Sequence, residues 1–279
     1  MFFIHLLRVK CEGIPQGDFL RSASDPVSII SRAIHAKPTA QVGRGSEWHI
    51  GNVEQIKPRG IAFAMGRTQA VKTPQFDIET HNFVEEEAMR APFTIGVFDP
   101  ETQTCGVMRK PGVSQSTSEI AGKLEKLLNA PSFARDANSV IVVETIPDPV
   151  GFLQSIRESQ AVLRFSFTVS RPNPHDVDRL IQGPAKAFTE AAHADSARVE
   201  IEGESLDKDI IEDVTKAVAA DGQVATARVK PADGGPPKHL NLHGNPVTEK
   251  VDAEANTSTV NAIFASMQRA YQRVRGIGR

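Results

Sequence analysis

Acidic side chains are concentrated in one stretch of the chain, DIETHNFVEEE, which covers residues 77–87. Its titratable members are Asp77, Glu79, His81, Glu85, Glu86 and Glu87. Metal-dependent nucleases and hydrolases hold their ions with two or three converging carboxylates. The stretch therefore supports a metal-dependent nuclease or hydrolase as the alternative function of this chain. No Asp…Glu-x-Lys spacing accompanies the acids, so a solvated run of charge is the main interpretation.

His239 and His243, in the sequence HLNLH, are a second group of potential ligands, with Asp233 and Asp252 as nearby carboxylates. Imidazole and carboxylate together suit several divalent metals. On a strand, however, residues four apart are separated by about 13 Å, which is too far for a single ion. The leucines around these histidines favour a strand, so we expect the polar face of a terminal strand, with no bound metal and no cofactor.

Two further motifs lack the context that their chemistry needs. Cys105 precedes Gly106 in a predicted hairpin strand, and a nucleophilic thiolate would need a nearby base and a lowered pKa. We interpret it as a buried apolar side chain. The spacing of Cys11 and Cys105, the two cysteines of the chain, excludes a zinc site built on thiolates. The pair Gly43 and Gly45 lacks the helix and lysine of a phosphate-binding loop.

Basic residues form two local groups that predict contact with nucleic acid. Beside a predicted hairpin lie Arg44, Lys57, Arg59, Arg67 and Lys72, with Trp48 close by as a side chain for base stacking. The last predicted helix carries Arg269, Arg273, Arg275 and Arg279, and the first two share a helix face because they are four apart. Local basic patches can follow a phosphate backbone. We therefore predict Arg44, Trp48, Lys57, Arg59, Arg67, Arg269 and Arg273 as nucleic-acid-binding residues, with ordinary solvated surface as the alternative.

The most regular unit of the sequence covers residues 161–195 and predicts a strand, a rigid turn and a helix. Apolar residues alternate along 161–170, two prolines interrupt the pattern, and helical spacing follows with a restart at residue 183. A helix N-terminus can hold an anion, so Arg171, Asn173 and His175 are predicted as an anion-binding group. The alternative is that Asn173 and Asp176 cap the helix.

Composition restricts the class of protein and its compartment. The 279 residues are 40% hydrophobic and 24% charged, with a formal net charge of -2, which is typical of a folded globular protein without a global attraction to nucleic acid. The apolar N-terminus, MFFIHLLRVK, has no basic leader and is interrupted by His5 and Arg8, so a first strand is expected rather than a signal peptide. No run reaches membrane-spanning length. We predict a cytoplasmic protein with no membrane partner.

Periodicity and turn residues predict an α+β fold with mixed or antiparallel sheets, helices packed on one face, and two ferredoxin-like or related layers. A composition shift at residues 131–138 separates a hairpin-rich domain, residues 1–130, from a strand–helix alternating domain, residues 139–279. In the first half, strands are predicted at 2–11, 48–56, 60–71, 93–98 and 103–108, a loop at 36–46, and helices after the caps Asp25 and Thr117 or Ser118. Residues 79–90 are predicted as a helix because of the three glutamates, or as a long edge strand. In the second half, strands are predicted at 139–145, 161–170, 197–202, 223–230 and 238–243, and helices at 148–158, 206–220 and 260–274.

The run RFSFTVSRPNPHDVDRL, followed by ADSARVEIEG, resembles the middle of uncharacterised bacterial proteins found in mobile or phage-defence gene neighbourhoods. The resemblance covers about a quarter of the chain, its motif is structural, and it implies a defence-related component without naming catalytic residues. We therefore predict a non-catalytic binding or assembly protein that contacts nucleic acid. We also expect either a homo-oligomer, formed through an exposed strand edge, or a protein partner.

Overall fold

The computed structural model describes residues 1–13, 25–42, 46–113, 115–170, 182–192, 194, 196–242, 245–252 and 258–276. The strands are β1 (Phe2–Gly13), β2 (Thr39–Gln41), β3 (Glu47–Ile56), β4 (Gly60–Asp77), β5 (Asn82–Arg90), β6 (Phe93–Asp99), β7 (Thr104–Met108), β8 (Ser139–Thr145), β9 (Ala161–Ser170), β10 (Ser196–Glu202), β11 (Ala225–Lys230), β12 (Lys238–Asn241) and β13 (Thr248–Val251). The helices are α1 (Pro26–His35), α2 (Thr117–Asn129), α3 (Phe133–Asp136), α4 (Val150–Glu158), α5 (Gln182–Ala191), α6 (Lys208–Ala220) and α7 (Thr259–Arg275). None of the helices in these ranges is long and apolar enough to cross a membrane.

The first sheet has nine strands in the order β13-β1-β7-β6-β4-β3-β2, with β5 beside β4 and β8 beside β1. β1 is fully enclosed because β7 pairs with residues 4–8 on one edge, while β13 and β8 pair with residues 2–5 and 7–13 on the other. Its two faces are covered by the two apolar cores of the protein, which explains why apolar side chains occur on both of them. Every strand pair in the described part of the chain is antiparallel, which confirms the predicted α+β class with antiparallel sheets.

The chain between β8 and β13 is an insertion into the first sheet. The Val247 amide donates to the Ile146 carbonyl at 2.8 Å, and Pro147 and Pro246 form an isolated bridge. The chain therefore leaves the sheet at residue 147 and returns to it at residue 246. Residues 148–245, which we call the inserted segment, contain the second sheet. Strands β8 and β13 thus belong to the first sheet although both follow residue 138, so sheet membership crosses the predicted boundary at residues 131–138.

The second sheet has four strands in the order β10-β9-β11-β12. The alternation predicted for β9 is confirmed over residues 165–169, since Phe165, Phe167 and Val169 are buried in the core on one face. It is wrong at the start of the strand, where Val162 enters the core and Leu163 is only half-buried, because the register with β11 shifts there. Helices α5 and α6 contact β9, and α6 connects β10 to β11, the strands on either side of β9. The inserted segment is therefore a small antiparallel sheet with its helices on the apolar face.

Two apolar cores lie on opposite faces of the first sheet, because side chains alternate along each strand. Ile4 and Leu6 of β1 enter a core shared with α7 and the second sheet, whereas Leu7 and Val9 enter a core with α1 and α2. Helices therefore cover both faces of the first sheet, and α7 lies between it and the inserted segment.

Local signals in the sequence located most of these elements. Asp25 caps α1 as predicted, because its carboxylate accepts hydrogen bonds from the backbone amides of Val27 and Ser28. Residues 79–90, predicted as a helix or a long edge strand, contain strand β5. Within the predicted loop at residues 36–46, Thr39–Gln41 forms the short strand β2, which pairs with β3.

Candidate functional site

Strand β4 is 18 residues long, and only its first half lies within the sheet. Residues 60–68 pair with β3 on one edge, and residues 61–66 pair with β6 on the other. From Gln69 to Asp77 the strand pairs with β5 alone, in a regular register from Gln69–Arg90 to Asp77–Asn82. Residues 69–90 therefore form a two-stranded ribbon that projects from the first sheet. We call this ribbon the arm.

The tip of the arm is held by its own side chains. The Asp77 carboxylate accepts hydrogen bonds from the Glu79 amide at 2.8 Å and from the Thr80 hydroxyl at 2.7 Å, which is an Asx-type turn. These bonds favour the charged form, so they hold the pKa of Asp77 below its usual range, with the Thr80 hydroxyl as the largest cause. His81 has a φ of 55°, in the left-handed region that tight turns use. The turn is thus specified locally.

The two faces of the arm differ in character because directly paired residues project to the same side. One face, which we call the aromatic face, carries Ala70, Lys72, Pro74, Phe76, Phe83, Glu85, Glu87 and Met89. The other face carries Gln69, Val71, Thr73, Gln75, Val84, Glu86, Ala88 and Arg90. On the aromatic face, the rings of Phe76 and Phe83 pack edge to face with centroids 5.2 Å apart. This is the largest apolar group on the arm.

These apolar side chains are exposed to solvent. Phe83 is 83% exposed, Met89 71% and Phe76 50%. Isolated two-stranded hairpins are at best marginally stable in water, and a contiguous exposed apolar patch marks an interaction surface. The arm therefore combines low intrinsic stability with uncovered aromatic rings, which is the expected state of a segment that becomes buried against a partner.

The acidic residues of the arm do not converge. Glu85 and Glu87 lie on the aromatic face, whereas Glu86 projects from the other face. Lys72 lies 3.9 Å from Glu85 in an exposed ion pair. No three His, Cys, Asp or Glu side chains in the described ranges are grouped so that they could hold a metal ion. The arrangement of these acids thus gives no support to a metal-dependent nuclease or hydrolase. The acidic side chains lie along the ribbon as surface charge.

The base of the arm is a close-packed corner that carries positive charge. Gly66 of β4 lies so near β6 that a Cβ atom there would be 2.5 Å from the Pro92 carbonyl oxygen. The Lys110 ammonium lies over the half-exposed ring of Phe93, 4.9 Å from its centroid. The Arg67 guanidinium donates to the Gly112 carbonyl. The arm therefore joins the sheet at a close-packed corner. The arm itself carries mostly acidic side chains, whereas this corner carries the cations Arg67 and Lys110.

Trp48, predicted as a base-stacking residue, lies in the core on the α1 and α2 side of the sheet and is 1% exposed. The Lys123 ammonium lies over its ring, 4.7 Å from the centroid. The ring therefore presents no face on which a base could stack. Sequence could not reveal this, because the alternation of β3 does not tell which face of the strand meets the core.

The predicted basic residues are separated and largely engaged within the protein. Arg59 donates two hydrogen bonds to Asp99, a fully buried carboxylate, and also pairs with Glu101. Arg67 is seven residues beyond Gly60 on β4, roughly 23 Å away along the strand. Lys57 is exposed beside Arg59. The structure therefore does not bring Arg67 together with Lys57 and Arg59.

Two of the three arginines of α7, Arg269 and Arg273, are exposed. Arg269 donates to the Ser266 hydroxyl within its own helix, and Arg273 pairs with Glu249 of β13 at 2.7 Å. The bond to Glu249 raises the pKa of Arg273. Arg44 and the predicted anion-binding residues Arg171, Asn173 and His175 lie outside the described residues, as does His243. Nucleic-acid and anion binding by these residues stay predictions.

Cys105 is inert as a nucleophile in this environment. Complete burial raises the pKa of its thiol to about 12, so the thiolate is not populated near neutral pH. Burial likewise raises the pKa of Cys11. The expectation that Cys105 is a buried apolar side chain is confirmed.

One polar group that sequence analysis missed lies between the first sheet and the inserted segment. Arg8 and Lys10 of β1 are each 1% exposed and point toward α7. The Lys10 ammonium lies 2.6 Å from Glu144 of β8 and 3.8 Å from Asp221, which ends α6. Arg8 lies 3.7 Å from the same Asp221 and donates to the Tyr271 hydroxyl of α7. We call these residues the junction cluster; its signal in the sequence is a pair of cations, two residues apart, within an apolar strand.

Comparisons of the chain with protein-family models and with curated proteins produced no match. The resemblance to proteins of phage-defence neighbourhoods therefore stays a prediction.

Proposed function

We propose that this protein is a non-catalytic binding or assembly protein that uses the arm, residues 69–90, to dock onto a protein surface. The observation that carries the proposal is the exposed aromatic face of a ribbon whose two strands, over residues 69–77 and 82–90, pair only with each other among the described strands. Maintaining such a surface in water is unfavourable, and burial against a partner would remove that cost.

The charge of the arm indicates what kind of partner it fits. The arm contains five carboxylates, Asp77, Glu79, Glu85, Glu86 and Glu87, against two cations, Lys72 and Arg90. A phosphate backbone would be repelled by this excess of negative charge. A protein surface with an apolar centre and basic residues around it would be complementary to the aromatic rings and to the negative charge of the arm.

The proposal is tested by photo-crosslinking in the full-length protein. A benzophenone amino acid replaces Phe83 at the tip, and in a control it replaces Val150, an exposed residue at the start of α4. We expect discrete protein adducts from position 83 and none from position 150. The same adducts should be lost when Glu85→Lys and Glu87→Lys are added, because reversing the charge opposes a basic partner, and kept with Glu86→Lys on the opposite face.

Absence of any adduct from position 83, both in producing cells and in the purified protein, contradicts the proposal. Adducts that form equally from both positions also contradict it, because they would reflect nonspecific collision.

A further inference from the structure

We infer that a pocket on the second sheet binds a small zwitterion, either an amino acid or a dipeptide, which carries one ammonium and one carboxylate. The pocket has a volume of about 390 Å³, which is within the range of small-molecule sites. It lies on the face of the sheet opposite the apolar core, which we call the outer face, and it is separate from the arm. Its lining residues are Leu163, Arg164, Glu202, Gly203, Glu204 and Arg228.

Arg228 of β11 supplies an uncompensated positive charge to the pocket. Its direct cross-strand neighbours are Arg164 on β9 and His239 on β12, and neither brings a carboxylate. Like charges opposite each other on a sheet are destabilising. The Arg228 guanidinium is exposed and has no hydrogen-bond or ion-pair partner among the residues that the structure describes. A carboxylate in the pocket would therefore relieve this repulsion and use the donors of Arg228.

The neighbouring Arg164, in contrast, is already neutralised by the acids of β10. It forms an ion pair with Glu202, which lies directly across the strands, and its Nη1 lies 3.5 Å from Glu200. The two arginines of the pocket are thus in different states. Arg164 holds Glu202 at one wall, whereas Arg228 is available to a ligand.

Glu204 supplies the opposite charge, in the loop between β10 and α6. Two backbone hydrogen bonds fix this loop against β9, from the Gly203 amide to the Leu163 carbonyl at 3.0 Å and from the Leu206 amide to the Val162 carbonyl at 2.8 Å. Within the described part of the chain, the Glu204 carboxylate also lacks a hydrogen-bond or ion-pair partner.

The charges that remain in the lining select the class of ligand. Arg164 and Glu202 compensate each other, which leaves the Arg228 guanidinium and the Glu204 carboxylate. A ligand with negative charge alone would be opposed by Glu204, and one with positive charge alone would be opposed by Arg228. A molecule that carries both charges is complementary to the two walls together.

A bulge in β9 supplies an apolar side chain between these charges. The register with β11 skips Leu163, and both Val162 and Phe165 enter the core. Leu163 and Arg164, which lie between them, therefore both project to the outer face. Bulges redirect side chains in this way next to functional sites. The half-buried Leu163 can thus contact the apolar part of a ligand.

The spacing of the strands limits the length of the ligand. Glu202 and Arg228 are both in register with Arg164, so their backbones lie two strand spacings apart, or about 10 Å. The side chains of both walls reach into this gap. The ligand must therefore be short, as an amino acid or a dipeptide is.

The test is an NMR titration of the purified full-length protein, followed on the backbone amides of Gly203, Glu204 and Arg228. The probes are L-leucine and L-leucyl-L-leucine. Each is compared with its N-acetyl derivative, which lacks the ammonium, and with its C-terminal amide, which lacks the carboxylate. We expect the tighter-binding zwitterion to have a dissociation constant about tenfold or more below those of its two derivatives, because each charge-assisted bond contributes on this scale. The preferred zwitterion distinguishes an amino acid from a dipeptide.

Two variants assign the two charges. Arg228→Gln should abolish the preference for the zwitterion over its amide and keep the preference over the N-acetyl derivative. Glu204→Gln should do the reverse. Lys230→Gln is the matched control, because Lys230 lies two residues beyond Arg228 on the same face of β11 and outside the pocket lining, and it should change neither preference. All three side chains are exposed, so the variants should keep the melting temperature of the wild type.

Amides that shift with neither zwitterion overturn the inference. A singly charged derivative that binds as tightly as its zwitterion overturns it too, since the pocket would then recognise only one of the two charges. Preferences that survive both Arg228→Gln and Glu204→Gln likewise contradict the assigned walls.

Discussion

The two halves of β4 differ sharply although one continuous strand forms both. In residues 60–68, flanked by β3 and β6, side chains such as Phe63 and Met65 are fully buried in the core. In residues 69–77, flanked by β5 alone, the aromatic side chain Phe76 is half-exposed. Apolar residues in the first half stabilise the folded chain because they are buried. Those in the second half are exposed and contribute little to its stability. The difference shows that residues of the same type on one strand lie in the core in one half and at the surface in the other, where we propose that they contact a partner.

The largest expected effect separates Phe63 from Phe83. Phe63→Ala removes a ring that is 2% exposed and packs against Gly96, so it should lower the free energy of unfolding by about 3–5 kcal/mol. Phe83→Ala removes an exposed ring and should change that energy by about 0.5 kcal/mol or less. Urea unfolding at a concentration where the protein is monomeric measures both. Similar losses from the two variants would show that the arm belongs to the folded core.

A second pair of variants compares lysines in the two environments. Lys10→Ala removes one of the two cations of the junction cluster, so Glu144 loses this ion pair and Asp221 keeps its pair with Arg8, and we expect a loss of about 3 kcal/mol. Lys72→Ala removes a cation whose side chain is 67% exposed and whose ion pair is solvated, so we expect about 0.5 kcal/mol or less. Thermal unfolding of the two variants against the wild type measures the difference. If Lys10→Ala were as mild as Lys72→Ala, the junction cluster would not hold the inserted segment to the first sheet.

Sequence patterns predicted the elements whose signals are local. The alternation of residues 165–169, the Asp25 cap and the Asp99-Pro100 turn between β6 and β7 each depend on neighbours within a few residues. They depend little on the rest of the fold, so the structure contains them as expected.

The insertion and the arm could not be derived in the same way. β8 and β13 share an edge of β1, yet residues 146–247 separate them in the chain. The periodicity of a segment does not indicate which distant strand it pairs with. Residues 85–87 have high helix propensity as glutamates, but the pairing of β5 with residues 69–77 of β4 overrides it. Exposure of the arm is likewise a tertiary property, since Phe76 and Phe83 have the same type as the buried Phe63 and Phe98.

Hydrogen–deuterium exchange of the purified full-length protein tests the central claim most directly, because it observes both halves of β4 at once. We predict that amides of residues 70–76 and 83–89, which belong to a two-stranded ribbon with an exposed aromatic face, exchange much faster than amides of residues 61–66, which lie between β3 and β6. Arm amides that are protected as strongly as those of residues 61–66 would contradict the claim that the arm lies outside the folded core.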